Sequence, residues 1–287
     1  MRWKGQRQSS NVEDRRGTGG RMARGGGKMS IVTVVIVIVI SVVTGKNPIE
    51  LFQMVGGGNS GQSSSTQNKK PSVQRSAAEN ELTAFSKTIL ASTEDAWLAE
   101  FKRRGSNYKV PGMVIFEGNV QSACGVQSER TGPFYCPGDH KLYLALGFFE
   151  QLQRMGAPGD FAQAYVIAHE VGHHIQNILG TERKMRQMQQ RDPANKNKYL
   201  VMLELQADCY AGVWANLSQK QKNWLDDGDV EEGLQAAASI GDDTLQRNAG
   251  RSVNVESFTH GSSEQRVHWL RKGMQTGDIT QCNTFGS

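Results

Sequence analysis

The sequence predicts a mainly helical α+β domain with a small antiparallel sheet, preceded by one N-terminal transmembrane helix. The domain prediction rests on residues 77–287, where apolar residues recur at helical spacing around two short runs of strand-like composition. The prediction of a transmembrane helix rests on residues 29–45, which carry no charge and consist mostly of Val and Ile. Residues 46–76 separate the two with an exit segment and a Gly- and Ser-rich linker that cannot build a core.

Charge is distributed unevenly along the 287 residues. The net charge is +5 and the mean hydropathy is −0.51. Residues 1–28 carry eight Lys or Arg against two acidic residues, whereas residues 77–287 carry 21 basic and 25 acidic residues. Because the folded part is acidic and has no basic patch interleaved with aromatic residues, we expect no nucleic-acid partner.

The apolar run 29–45 has 17 residues, the lower limit for a helix that spans a bilayer. Two alternatives are a buried strand, which this run exceeds in length, and a cleaved signal peptide, for which no clear cleavage site follows. The positive-inside rule then predicts a single-pass anchor. It would place the basic tail 1–28 in the cytoplasm and everything after Lys46 outside it.

The helices and strands of the domain are predicted from hydrophobic periodicity and from residues that typically begin or end such elements. A helix is predicted over 78–104, and strands over 113–118 and 141–146. Asp160 is a candidate cap for a helix that ends at Gly180, where the chain can adopt a left-handed conformation. Further helical patterns cover, in order, part of 181–196 and all of 198–217, 229–247 and 262–275.

Four cysteines lie beyond the apolar run, where disulfides can persist. Four cysteines allow three pairings, and the sequence does not decide among them. Because Cys124 and Cys136 flank one Gly- and Ser-rich loop, this pair is favoured, which leaves Cys209 for Cys282. A zinc site made of cysteines is disfavoured because no C-x-x-C occurs.

A metal-binding motif lies in the segment AYVIAHEVGHHIQNILG, residues 164–180. His169 and His173 are four residues apart, so on a helix both can reach one ion. Zinc accepts two imidazoles, and Glu170 lies close enough to take a proton from a water at the metal. His174 is off this shared face and is expected to be structural. Gly172 predicts the close approach of another backbone, since glycine is costly inside a helix.

The third ligand is expected in ELQAD, on the second patterned helix. Glu204 and Asp208 lie four residues apart among apolar neighbours, where buried carboxylates need a charge partner or a metal. We expect Glu204 to be the third zinc ligand and Asp208 to accept a hydrogen bond from a ligand histidine. A surface acidic pair is the alternative.

The motifs AHEVGHHIQNILG, ELQADCYAGVWA and HGSSEQRVHWLRKG, with the N-terminal MRWKGQRQSSNVEDRRG, resemble the neutral zinc metallopeptidases of bacteria (YpfJ-like). The pair H-E-x-x-H and E-x-x-x-D is also similar to the gluzincin arrangement, with Glu204 as ligand and Asp208 as its support. The resemblance implies a zincin-like domain of a bacterial protein. With the predicted anchor in the inner (cell) membrane, this domain would lie in the periplasm or outside the cell. The resemblance also makes His260 a candidate donor to the oxyanion, the alternative being a cap for the helix that starts near Ser262.

Two other features remain less specific. Arg266 could pair with a buried carboxylate, while His140 and His268 are expected to be structural or surface residues.

The first functional hypothesis is a membrane-anchored zinc endopeptidase that acts on protein or peptide substrates, with Glu170 as base. The second is a non-catalytic, metal-stabilised scaffold or binding protein in the membrane. An intact Glu170 favours the first, because a structural zinc does not need it.

Overall fold

The computed structural model of the protein describes residues 1–17 and 75–286. These residues form the mainly helical α+β domain with a small sheet that the sequence predicts. The strands are β1 (Val12–Asp14), β2 (Gly112–Phe116), β3 (Asn119–Ser122), β4 (Gly125–Ser128), β5 (Phe134–Cys136) and β6 (Lys141–Ala145). The helices are α1 (Ala77–Arg103), α2 (Gly147–Arg154), α3 (Asp160–Leu179), α4 (Thr181–Arg191), α5 (Lys196–Lys222), α6 (Asp229–Ser239), α7 (Asp242–Asn248) and α8 (Ser263–Thr276).

The main sheet is mixed, so the expectation of an antiparallel sheet is wrong for it. Its order is β1-β2-β6-β5, with β1–β2 and β2–β6 parallel and only β5–β6 antiparallel. The connection 117–140 between β2 and β6 is long enough to return the chain to the same end of the sheet, which parallel pairing requires. It contains the separate antiparallel pair β3–β4 and the edge strand β5.

The N-terminal tail belongs to the same folded body as the helices, which corrects the expected topology. Val12 pairs with Met113 in the sheet, and the Trp3 ring lies edge-on to Phe85 with centroids 5.3 Å apart. A single membrane crossing by 29–45 would put these partners on opposite sides of the bilayer. Residues 1–17 are therefore part of the folded domain rather than a separate tail.

The expected transmembrane helix and most of the linker, residues 18–74, lie outside the described residues. Among residues 1–17 and 75–286, no helix combines the length and the apolar character needed to cross a bilayer.

Helix α5 occupies the centre of the domain, and glycines allow its neighbours to approach closely. A Cβ added to Gly172 of α3 would lie 2.9 Å from the carbonyl oxygen of Ala207, which explains the glycine inside the motif helix. A Cβ added to Gly212 of α5 would lie 2.2 Å from the carbonyl oxygen of Leu270 of α8. Since α3 and α8 both pack on α5, residues from all three helices meet at one place.

Two local expectations need correction. Asp160 is the first residue of α3 rather than its cap, and the preceding Gly159 has no side chain that could cap it. The predicted helix 229–247 is two helices, α6 and α7, because the chain turns at Ile240 and Gly241. At this turn the Ser263 hydroxyl donates to the Ala238 carbonyl at 2.6 Å and so ties the end of α6 to the start of α8.

The favoured cysteine pairing is confirmed. Cys124 is bonded to Cys136, with Cα atoms 5.8 Å apart, and Cys209 is bonded to Cys282, with Cα atoms 5.6 Å apart. The second bond ties the short helical turn Ile279–Cys282 to α5, and the sulfur-bearing side chains are fully buried there.

Candidate metal centre

Three predicted ligands meet where α3 crosses α5. Nε2 of His169 lies 3.1 Å from Oε2 of Glu204, and Nε2 of His173 lies 3.6 Å from Oε1 of the same carboxylate. One ligand atom from each residue lies within 4.8 Å of the other two. The helical spacing of the histidines puts them on one face, and the α3–α5 crossing brings the carboxylate to them.

This donor set fits a tetrahedral zinc ion. With zinc–ligand bonds of about 2.0–2.1 Å, neighbouring donors of a tetrahedron are about 3.3 Å apart. The histidine nitrogens lie 3.1 Å from Oε2 and 3.6 Å from Oε1 of Glu204, so the three side chains are close enough to share one ion, with each nitrogen nearest a different carboxylate oxygen. Two imidazoles and one carboxylate leave a fourth position for water or substrate, which is the composition of catalytic rather than structural zinc sites.

A second acidic group has similar spacing but is already paired with a cation. Oxygens of Asp160, Asp229 and Glu232 lie within 4.8 Å of one another. The α-ammonium group of Met1 lies 3.1 Å from Asp160 and 3.3 Å from Asp229. This group of carboxylates therefore binds the N-terminal tail to the start of α3 and gives no reason to place a second metal ion there.

Asp208 fixes the orientation of His169. Its Oδ1 lies 2.7 Å from Nδ1 of His169 and accepts from the Tyr165 hydroxyl at 2.6 Å. Arg266 donates to both carboxylate oxygens at 2.9 Å. Burial would raise the pKa of Asp208, but Arg266 and His169 lower it to about 2. An ionised carboxylate can only accept, so Nδ1 of His169 carries a proton. When the ring is neutral, its Nε2, which lies 3.1 Å from Oε2 of Glu204, has the lone pair that a metal needs.

Glu170 lies beside the three candidate ligands and outside their group. Burial is the main influence on its carboxyl group and raises its pKa, although His173 and His169 act in the opposite direction. Among the described residues no side chain donates a hydrogen bond to this carboxylate. A carboxylate that lies beside a metal site and outside its ligand set is placed to accept a proton from a water there.

His260 approaches the site from the segment before α8. Its Nδ1 lies 3.1 Å from Oδ1 of Asp242, and its backbone N–H donates to Oδ2 of the same residue at 2.7 Å. Burial would lower the pKa of His260, but the hydrogen bond with Asp242 and the charge of Glu204 raise it. Ser262 and Gln265 cap α8 reciprocally, so the alternative that His260 caps this helix is wrong.

His174 points away from the metal ligands into a separate polar network. Its Nε2 donates to the carbonyl of Lys109 at 2.6 Å, and its Nδ1 lies 2.9 Å from the Tyr135 hydroxyl. Both ring nitrogens are therefore engaged, and burial lowers the pKa of His174 to about 4. His140 joins the same network through Tyr135, at 3.2 Å, while His268 lies edge-on to a neighbouring tryptophan ring.

Three residues of the site were not predicted from the sequence. Tyr165 lies four residues before His169, so helical spacing alone could have placed it on the same face. Gln176, which lies 2.9 Å from His173, could have been found by the same rule. Asp242 could not, because it falls in a stretch whose pattern indicated the interior of one continuous helix.

Comparison with known proteins agrees with this geometry. A family model described as "Putative neutral zinc metallopeptidase" matches residues 1–285. The chain belongs to this metallopeptidase family. It is 43% identical over 295 residues to the uncharacterized protein YpfJ of Escherichia coli (strain K12), covering 100% of this chain and 99% of that protein. It is also 42% identical over 191 residues to the uncharacterized protein Mb2605 of Mycobacterium bovis, covering 63% of this chain and 64% of that protein.

No solved structure matches the chain. The family match includes the N-terminal tail as well as the helices that carry the metal motifs. Membership in the neutral zinc metallopeptidase family implies zinc as the metal, and it leaves the substrate and the residue roles to be argued from the site itself.

Proposed function

We propose that the protein is a zinc-dependent endopeptidase that hydrolyses peptide bonds of protein or peptide substrates. The observation that carries the proposal is the convergence of His169, His173 and Glu204, with Glu170 beside them and outside the ligand set. Two imidazole nitrogens and one carboxylate oxygen form a donor set that catalytic zinc sites use.

Zinc bound here would polarise the scissile carbonyl and lower the pKa of a coordinated water. Glu170 takes the proton of the attacking water and delivers it to the leaving amine nitrogen. Its position beside His169 and His173, outside the ligand group, supports this role. Asp208, held by Arg266, accepts from Nδ1 of His169 and so favours the neutral tautomer whose Nε2 can bind the metal.

His260 is proposed to donate a hydrogen bond to the oxyanion that forms on the scissile carbonyl. Asp242 accepts from the Nδ1 side of the ring, so the proton on Nε2 is available for donation when the imidazole is charged. The raised pKa of His260 favours this charged form.

We further propose that the domain acts in an oxidising compartment outside the cytoplasm, because both cysteine pairs are bonded. The tail 1–17 and residues 75–286 pack as one body, so both act in that same compartment. We therefore do not expect a single-pass anchor with a cytoplasmic tail.

The test compares wild type with Glu170→Gln in the full-length protein with both disulfides formed. Glu170→Gln should retain zinc but cleave labelled, unfolded casein about 100-fold or more slowly, since it removes the proton acceptor. Glu150→Gln is the matched control, because this glutamate is exposed on α2. Equal cleavage by wild type and Glu170→Gln would refute the role of Glu170 as proton acceptor, whereas no cleavage by either protein would favour the non-catalytic scaffold.

A further inference from the structure

A chain of hydrogen bonds leads from the second histidine of the metal site into the protein interior. Oε1 of Gln176 lies 2.9 Å from Nδ1 of His173. Nε2 of Gln176 donates to the Leu203 carbonyl at 2.6 Å and to Oε1 of Gln206 at 3.2 Å. Nε2 of Gln206 donates to the Cys282 carbonyl at 2.8 Å. Both glutamines are buried, with exposed fractions of 1% and 6%.

The two backbone carbonyls determine the direction of every hydrogen bond in this chain. A carbonyl oxygen only accepts, so the Leu203 carbonyl requires the NH₂ group of Gln176 on its side. The oxygen of Gln176 must then face His173 and accept from its Nδ1, so that the neutral ring has its lone pair on Nε2. The Cys282 carbonyl fixes Gln206 in the same way, so that its oxygen faces Gln176.

We propose that Gln176 is the positioning residue that fixes the tautomer and ring orientation of His173, as Asp208 does for His169. The two ligand histidines are thus held by different means, one by an ionised carboxylate and the other by a neutral amide. This inference rests on the proposed function only in requiring that the site bind zinc.

The chain of hydrogen bonds ends at the carbonyl of Cys282, which is disulfide-bonded, so the proposal extends to this disulfide. Cys209 lies three residues after Gln206 on α5, and its bond to Cys282 holds the Cys282 carbonyl against this helix. Loss of the bond releases the acceptor that orients Gln206, so Gln206 can turn its amide and no longer orient Gln176. The Cys209–Cys282 disulfide therefore supports zinc binding from outside the site.

The first experiment measures zinc affinity of the full-length protein, with both disulfides formed, by competition with a chromophoric chelator. Gln176→Met removes the acceptor at nearly constant length and should weaken zinc binding about 10- to 100-fold. Gln176→Glu keeps an acceptor towards His173 and should bind zinc nearly as wild type does. It should nevertheless lower the melting temperature, because its second oxygen faces the Leu203 carbonyl.

Gln163→Met on the same helix is the matched control and should leave zinc affinity unchanged. A wild type that binds zinc together with an equally tight Gln176→Met would overturn the inference and leave the proposed function standing. A Gln176→Glu protein as weak as Gln176→Met would also overturn it, since the effect would then follow packing rather than the acceptor. A wild type that does not bind zinc would overturn both.

A second experiment tests the disulfide. The double variant Cys209→Ser/Cys282→Ser should bind zinc more weakly than wild type, with a loss no greater than that of Gln176→Met. The double variant Cys124→Ser/Cys136→Ser is the control, because this bond lies outside the chain of hydrogen bonds. Equal zinc affinities of the two double variants would remove the disulfide from the proposal.

Discussion

Replacing Ser9 and Asn11 of the N-terminal tail with alanine tests whether the tail is a structural part of the domain. The Ser9 hydroxyl donates to Oε1 of Glu94 at 2.6 Å, and Nδ2 of Asn11 donates to the same oxygen at 2.8 Å. The carboxylate side chain of Glu94 on α1 is only 4% exposed, and its ion pair is with Arg7, also from the tail. Without the tail this buried carboxylate loses its described partners.

The magnitude follows from these contacts. A hydrogen bond to a charged group contributes about 1.5–3 kcal/mol, and two bonds that share one oxygen are not additive. We therefore expect Ser9→Ala/Asn11→Ala to lower the free energy of unfolding by about 2–4 kcal/mol. For a domain of this size, that loss corresponds to a fall of about 4–16 °C in the melting temperature.

The assay is scanning calorimetry of the oxidised, full-length protein. Lys4→Ala is the control from the same tail, because the ion pair of Lys4 with Glu81 is exposed and should contribute at most about 1 kcal/mol. If Ser9→Ala/Asn11→Ala melted at the same temperature as Lys4→Ala, the tail would not supply the partners of Glu94. The tail would then not be a stabilising part of the domain.

Three further predictions concern helix packing and buried charge. Gly172→Ala should destabilise by about 1–3 kcal/mol in urea unfolding, because its methyl group would meet the backbone of α5, whereas Gly147→Ala, with open space around it, should not destabilise. Arg266→Ala should cost about 3–5 kcal/mol in the same assay, because it leaves Asp208 buried without its cation. Burial would raise the pKa of Glu100, but its two ion pairs with arginines lower it overall. Ionised Glu100 should therefore stabilise the folded protein above about pH 4.5. This stabilisation should disappear as the pH falls through the lowered folded-state pKa, and the difference in unfolding free energy between wild type and Glu100→Gln should shrink accordingly.

The parts of the site that share one helix could be predicted from the sequence. The four-residue spacing places His169 with His173 and Glu204 with Asp208 wherever the two helices form. An apolar setting around Glu204 and Asp208 indicated that these carboxylates need partners. The crossing of α3 and α5, which brings the two pairs together, was signalled only by Gly172.

The position of the tail could not be predicted, because its partners are distant in sequence. The basic residues of the tail read as a positive-inside signal, yet Arg7 pairs with Glu94 and the buried side chain of Arg16 pairs with Asp14. The parallel pairing of Val12–Asp14 with β2 likewise depends on contacts about a hundred residues apart, for which a three-residue strand carries no local signal.

The zinc content of full-length wild type and of Glu204→Ala tests the central claim most directly. Each protein is loaded with zinc, dialysed against a weak chelator and analysed by atomic emission. Wild type should retain one zinc ion per chain, and Glu204→Ala should lose most of it, because two histidines alone do not complete the site. Full retention of zinc by Glu204→Ala, in a protein that is still folded, would contradict the assignment of the third ligand and with it the site as described.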